Sequence, residues 1–349
     1  MVAAALRPLA RLAAGAAGLL VALYGLAPHV PHAVQRGPSL EDVAWIAAGI
    51  GGLVVLAIAV HGALRGRTWR AWLVAVPVAL LTLQFVVLPA VLAGLVVNAD
   101  DAASPPAASL RLPDAHDVTV RARDGVRLAG WYVPGRRDAG VVVLHGSHGT
   151  RADALEHVRM LAGAGFAVLA IDARGHGQSG GDANALGWAG ADDVAGAVAA
   201  MRAMGIRDVA ALGLSMGAEE ALRAAASGVP LRAVVADGAG GSTTADQRLV
   251  SSGAEVGVTW AAMRATELLS GDDEPAPLRD VAAHIRAPVL LVASGARHEH
   301  DYAEAYRERI GARAAVWDVP DAGHTEALRE HPAAYGMRVE AFLERALRR

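Results

Sequence analysis

The 349-residue chain contains no cysteine. Disulfides, thiolate nucleophiles and cysteine metal sites are therefore excluded, while the compartment stays open, because a cysteine-free fold suits either side of a membrane. Charge is scarce as well. Charged residues make up 19% of the chain, the formal net charge is -3, and the arginines are scattered rather than gathered into a basic face. Nucleic acid is not expected as a partner. No phosphate-cradling or dinucleotide-binding glycine pattern occurs with the spacing those sites need, so no cofactor is expected. Aromatic residues contribute only 4%. What fills the chain instead is aliphatic: 54% of it is hydrophobic, with a mean hydropathy of +0.32, too apolar for an ordinary soluble domain.

That excess is concentrated near the N-terminus. Residues 9–27, 43–64 and 71–97 are apolar stretches without Asp, Glu or Lys, and each approaches the roughly 20 residues that cross a bilayer. Arg11 and His61 lie near span ends, where their side chains reach the interface. A cleaved signal peptide would account for the first stretch but not for the two that follow. Residues 1–100 are therefore expected to be a membrane anchor of three transmembrane helices, with the lipid bilayer as partner. Arg7 and Arg11 precede the first span, Arg65, Arg67 and Arg70 crowd the connection between the second and third, and the exit at Asp100-Asp101 is acidic. The positive-inside rule then predicts a multi-pass protein of the cell membrane whose C-terminal domain lies on the extracytoplasmic side. Trp45, Trp69 and Trp72 fall near the predicted interfaces, as aromatic belts do. Residues 101–113, poor in large side chains, read as a linker.

From residue 114 the pattern changes. Residues 117–123 and 127–133 flank Asp124-Gly125, which predicts an antiparallel hairpin closed by a type I′ turn. Short continuous apolar runs follow at 141–144, 167–171, 209–214, 233–236, 289–293 and 315–319, as strands buried on both faces should. Helical stretches separate them, notably 152–164, 192–204, 216–227, 301–310 and 332–347. The alternation predicts an α/β fold, a doubly wound and mostly parallel sheet over residues 114–349. Right-handed crossovers bring the carboxyl ends of such strands to one edge, where ligands bind.

The segment Gly213-Leu214-Ser215-Met216-Gly217 joins one of these strands to a helix. This is the G-x-S-x-G pattern of a nucleophile elbow, in which a serine sits on a strained turn and glycines avoid collision with the flanking strand and helix. Three further motifs end strands: His145-Gly146-Ser147-His148-Gly149, Asp172-Ala173-Arg174-Gly175-His176-Gly177-Gln178-Ser179, and Ala322-Gly323-His324-Thr325. With these four motifs in this order, the chain from Asp114 to Arg349 resembles the α/β-hydrolase superfamily, particularly its serine aminopeptidase-like and lysophospholipase-like branch.

The resemblance implies a Ser-His-acid triad, with Ser215 as nucleophile and His324 as its base. For the acid it is less specific. Family members usually carry it a few residues past a glycine after the penultimate strand, and the commonest spacing lands here on His298, which has no carboxylate. Glu299, one residue on, is the first choice; Asp301 and Asp237, the latter at the end of the preceding strand, are the alternatives. Asp301 also suits the N-cap of the helix that follows. The oxyanion is expected to meet the backbone N–H groups of Met216 and Ser147. His145 is expected to be a structural prop, and Asp172 and Arg174 to tie down a glycine-rich turn. A metal on His145, His148, His176 and Asp172 would leave the elbow without a purpose, so no metal is expected.

Residues 238–287 hold a stretch, 254–270, able to form a helix with Val256, Val258, Trp260, Met263, Leu268 and Leu269; such folds place a lid here. The expected protein is a membrane-anchored serine hydrolase acting on carboxylic esters, lipid esters among them. Aminopeptidase or amidase activity on peptides is one alternative. A catalytically degenerate hydrolase fold serving as a binding module is another.

Overall fold

The computed structural model describes residues 2–36, 38–66, 69–98, 102–181 and 184–347. Arg67 and the Asp100-Asp101 pair lie outside the described residues. The chain forms two compact units, Met1–Asn98 with Gly253–Gly271, and Ala99–Ser252 with Asp272–Arg349.

In the first unit, three helical stretches, Ala13–Val34, Leu40–Leu64 and Trp69–Val97, are long and apolar enough to cross a membrane. Helix Val2–Leu26 packs on helix Leu40–Leu64 through small residues, with Gly15, Gly18, Ala22 and Gly25 buried at helical spacing. A Cβ on Gly18 would lie 2.6 Å from the Gly52 carbonyl oxygen, and one on Gly52 would lie 2.5 Å from that of Gly18. Backbones come so close only where side chains are absent, which is how helices gain contact in lipid without a hydrophobic driving force. The third stretch changes pitch: helix Trp69–Thr82 passes through a π turn, Leu83–Val87, into helix Leu88–Val97. Pro89 has no N–H to give to the ladder, and the wider turn just before it takes up the mismatch.

The long helix expected within the lid, Ala254–Ser270, belongs to this first unit and packs against Leu88–Val97. Its apolar positions meet another apolar helix here.

The second unit is built on eight strands: β1 (His116–Arg121), β2 (Arg127–Val133), β3 (Ala139–Leu144), β4 (Ala167–Ile171), β5 (Asp208–Leu214), β6 (Val234–Asp237), β7 (Val289–Ser294) and β8 (Ala314–Val319). Their order across the sheet is β1-β2-β4-β3-β5-β6-β7-β8. Only β2 pairs antiparallel, with β1 and β4; the rest is parallel. Every strand begins and ends within two residues of its expected bounds.

Side chains alternate between two cores, as period 2 demands. Val142 and Leu144 join Leu169, Ala211 and Leu291 on one face; Val141 and Val143 join Val168, Leu212 and Val292 on the other. The hairpin differs from expectation at its turn. Ala122 donates to Val126 and Gly125 to Ala122, both at 2.9 Å, so three residues rather than two close the loop. Gly125 alone takes a positive φ of 96°, while a type I′ turn would also need one at Asp124.

Candidate active site

At the carboxyl end of β5 the chain turns directly into helix Met216–Ala226, and Ser215 sits at the junction with φ 52° and ψ -113°. A side chain in this sparsely populated region is strained, and the surrounding packing holds it there. The Ser215 N–H donates to the Asp237 carbonyl at 2.8 Å, and its own carbonyl accepts from Ala218 at 2.9 Å. A Cβ on Gly213 would lie 2.1 Å from the Gly217 carbonyl oxygen, and one on Gly217 would lie 2.6 Å from the Leu144 Cβ. Both elbow glycines are therefore required by close backbone approach.

Two loops from the same sheet edge converge on this serine. His324, five residues past β8, places Nε2 2.9 Å from Ser215 Oγ. Its Nδ1 lies 2.5 Å from Glu299 Oε1. Glu299 is the first residue of helix Glu299–Ile310 and is 1% exposed. Its second oxygen accepts the Ser294 N–H at 2.7 Å, which fixes the carboxylate against the end of β7. An imidazole held so on one side presents its other nitrogen to the hydroxyl.

Neither alternative acid is hydrogen-bonded to His324, whose ring nitrogens meet Glu299 and Ser215. Asp301 is exposed, within the first turn of the helix rather than at its N-cap, and its Oδ2 lies 3.3 Å from His298 Nδ1. Position 298 itself is an exposed N-cap with φ 58°. Asp237 is buried, and its Oδ2 accepts the Tyr335 hydroxyl at 2.8 Å. Its Oδ1 has no hydrogen-bond partner among the described residues. Burial, opposed by the Tyr335 hydrogen bond and reinforced by the nearby Glu299 charge, pushes the Asp237 carboxyl up to about 7.

That shift has a sign. A carboxyl favoured neutral by the fold contributes its stability fully below the unfolded pKa near 4 and loses it as pH rises towards 7. Asp237→Asn, which mimics the neutral form, is therefore expected to match wild type at pH 4. Above pH 7 it should be more stable, by up to about 4 kcal/mol. Thermal unfolding across pH measures this, and a difference independent of pH would contradict it.

The loop after β3 runs beside the serine: a Cβ on Gly146 would lie 3.4 Å from the Ser215 Cβ. Ser147 follows in that loop, and Met216 is the first residue of its helix, where backbone N–H groups have no intrahelical acceptor. His145 is buried and uses both ring nitrogens on backbone: Nδ1 lies 2.7 Å from the Gly146 carbonyl and Nε2 accepts the Ala173 N–H at 3.0 Å. Burial pushes its pKa down, consistent with a neutral ring. Asp172 accepts the N–H groups of Arg151 at 2.7 Å and Gln178 at 2.9 Å, and pairs with the Arg151 guanidinium. Arg174 binds Asp193 and Asp124, each at 2.7 Å. Among the described residues, no group of His, Asp and Glu side chains is arranged to hold a metal ion.

Sequence reasoning missed two parts of this arrangement. Tyr335, 98 residues from Asp237, gives no spacing signal that would link the two. Arg151, 3% exposed, lies with its guanidinium carbon 5.0 Å from the Trp131 ring centre while pairing with Asp172. Its burial and its pairing across 21 residues are tertiary outcomes that the sequence around position 151 does not signal.

Comparison with known proteins agrees with this architecture. Residues 135–266 match the family model described as serine aminopeptidase, S33. Uncharacterized proteins of two Mycobacterium tuberculosis strains are 33% identical, over 63% of this chain and 76% of theirs. Among solved structures, the esterase Pf2001 of Pyrococcus furiosus aligns with a TM-score of 0.57 at 21% identity, covering 72% of this chain and 98% of its own. A membrane phospholipase A described as a bacterial virulence factor aligns with a TM-score of 0.51 at 19% identity, covering 80% and 98%. The chain belongs to the α/β-hydrolase superfamily. It is a hydrolase by family and fold, with three apolar helices compatible with membrane association.

Proposed function

We propose that this protein is a membrane-anchored serine hydrolase that cleaves carboxylic esters through Ser215, His324 and Glu299. The observation that carries the reading is the pair of contacts on one imidazole, 2.5 Å to Glu299 and 2.9 Å to Ser215. Ser215 Oγ attacks the ester carbonyl carbon as its proton passes to His324 Nε2. Glu299 holds the ring with Nδ1 protonated and stabilises the imidazolium that forms. The N–H groups of Met216 and Ser147 receive the negative charge on the carbonyl oxygen. His324 then protonates the departing alcohol, and an acyl group remains on Ser215. Water attacks that acyl carbon, gives a proton to His324 and releases the carboxylic acid, and Ser215 recovers its proton.

Ester cleavage is favoured over peptide cleavage because proteins that share the fold include an esterase and a membrane phospholipase A. The aminopeptidase description of the family model supports the second reading, hydrolysis of peptide bonds at an amino end. A panel of p-nitrophenyl esters and aminoacyl p-nitroanilides separates the two. The arginines at 65, 67 and 70 support an extracytoplasmic hydrolase unit.

Labelling by a fluorophosphonate tests the reading itself. Wild type should gain one adduct, found by peptide mass spectrometry on Ser215, and Ser215→Ala should gain none. Folded wild type without an adduct would favour a degenerate binding module, and equal labelling of the variant would overturn Ser215 as the nucleophile.

A further inference from the structure

The helix Ala254–Ser270 is an excursion of the hydrolase chain. The second unit ends at Ser252 and resumes at Asp272, and what lies between is packed among the apolar helices of the first. Its neck is built within the hydrolase unit. Asp246 accepts the Leu278 N–H at 2.9 Å and the Arg279 N–H at 3.2 Å. Arg223 donates to the Ala276 carbonyl at 2.7 Å and to Ser242 Oγ at 3.3 Å. Arg223 stands on helix Met216–Ala226, which begins immediately after Ser215. Trp188 Nε1 adds a bond to the Ser242 carbonyl at 2.8 Å. The excursion therefore rises from a stalk bonded to the elbow helix itself.

Length fixes where the helix lies within the first unit. The third apolar stretch, Trp69–Val97, has 29 residues, about 43 Å at 1.5 Å per residue, against a hydrocarbon core of about 30 Å. Trp69 and Trp72 are exposed at one end, with the Arg70 guanidinium carbon 5.9 Å from the Trp69 ring centre, an interfacial pairing. Counting about 20 residues from Trp72 places the far interface near residue 92. Helix 254–270 packs along Leu88–Val97 and also reaches the π turn, where a Cβ on Gly257 would lie 3.0 Å from the Phe85 ring. Phe85 is about 10 Å short of that interface, so the helix dips into hydrocarbon.

Its composition agrees with that placement. Trp260 and Leu268 are exposed at 54% and 83%, Met263 and Thr266 are buried, and of its three charges Arg264 and Glu267 pair at 2.6 Å while Glu255 stands exposed in the first turn, next to the stalk. An exposed tryptophan and leucine beside a paired arginine suit the boundary between acyl chains and headgroups.

We propose that helix 254–270 is a membrane-inserted part of the hydrolase, and that the substrate is a long-chain acyl ester of a membrane lipid, attacked while its chain remains in the leaflet. This rests on the serine esterase reading. A stalk that ties the elbow helix to an element held in the leaflet serves a lipid-borne ester; a water-soluble peptide needs none.

The test uses the full chain in lipid nanodiscs and vesicles. Because the protein has no cysteine, Trp260→Cys, Leu268→Cys and Met337→Cys each accept a single nitroxide; Met337 lies exposed on the C-terminal helix and serves as the aqueous control. Labels at 260 and 268 should collide more with oxygen than with water-soluble nickel chelate, and the label at 337 the reverse. Equal behaviour at all three overturns the insertion. For substrate class, wild type should cleave both p-nitrophenyl butyrate in solution and dioleoylphosphatidylglycerol in vesicles. Gly257→Leu, which forces Phe85 away, should lower vesicle lipid cleavage at least tenfold with butyrate cleavage within twofold. Butyrate cleavage without any lipid cleavage, or an unchanged ratio in the variant, overturns the lipid assignment. Wild type indistinguishable from Ser215→Ala on both substrates would instead overturn the esterase reading, while the nitroxide measurement still decides the insertion.

Discussion

Ser215→Ala is expected to lower kcat/KM for p-nitrophenyl butyrate by about 10⁵-fold or more, with KM little changed. The reason is that, among the described residues, the group hydrogen-bonded to His324 Nε2 is Ser215 Oγ, at 2.9 Å. Ground-state binding survives, because an alanine at 215 removes one oxygen from a position whose backbone is fixed by the Asp237 and Ala218 hydrogen bonds. His324→Ala should cost nearly as much. The double variant should be no worse than either single one, since groups that act as a unit lose their effect together. Steady-state kinetics with active-site titration measures all three. Additive losses, or a Ser215→Ala enzyme within tenfold of wild type, would mean that another group attacks the carbonyl.

Glu299→Gln is expected to lower kcat by about 10⁴-fold, or about 5 kcal/mol of barrier. The amide keeps the shape but can present its N–H to His324 Nδ1, which favours the tautomer with the proton on Nε2. That tautomer cannot accept from Ser215. The imidazolium that forms during turnover also loses its counter-charge. Asp301→Asn supplies the contrast. Its side chain is 59% exposed and pairs with the outward-facing His298, so the change should stay within twofold. If Asp301→Asn proved the damaging substitution and Glu299→Gln the silent one, the acid assignment would be reversed.

The strands of the hydrolase sheet were legible in the sequence because strands buried on both faces need unbroken aliphatic runs, and short linkers with glycine and charge separate them. The three apolar helices were legible for the same reason on a longer scale. The type of hairpin turn was not, because Asp124-Gly125 satisfies both a two-residue and a three-residue closure. The flanking pairs decide between them. The acid could only be narrowed to three positions, since the distance from a carboxylate to His324 depends on how the loop after β7 begins its helix. The actual arrangement puts Glu299 at the first helical position and binds it to the Ser294 N–H.

The destination of residues 254–270 was the least legible feature. Apolar positions at helical spacing say that a face will be buried, and they do not say against what.

The amino-acid sequence by itself determined the doubly wound sheet, the elbow at Ser215 and the three apolar helices, because these follow from periodicity and local sterics within a few residues. Only the tertiary structure decided which carboxylate meets His324, that Asp237 turns instead to Tyr335, and that helix Ala254–Ser270 packs beside Phe85. Those outcomes depend on contacts between residues tens to hundreds of positions apart, where no local pattern fixes a distance.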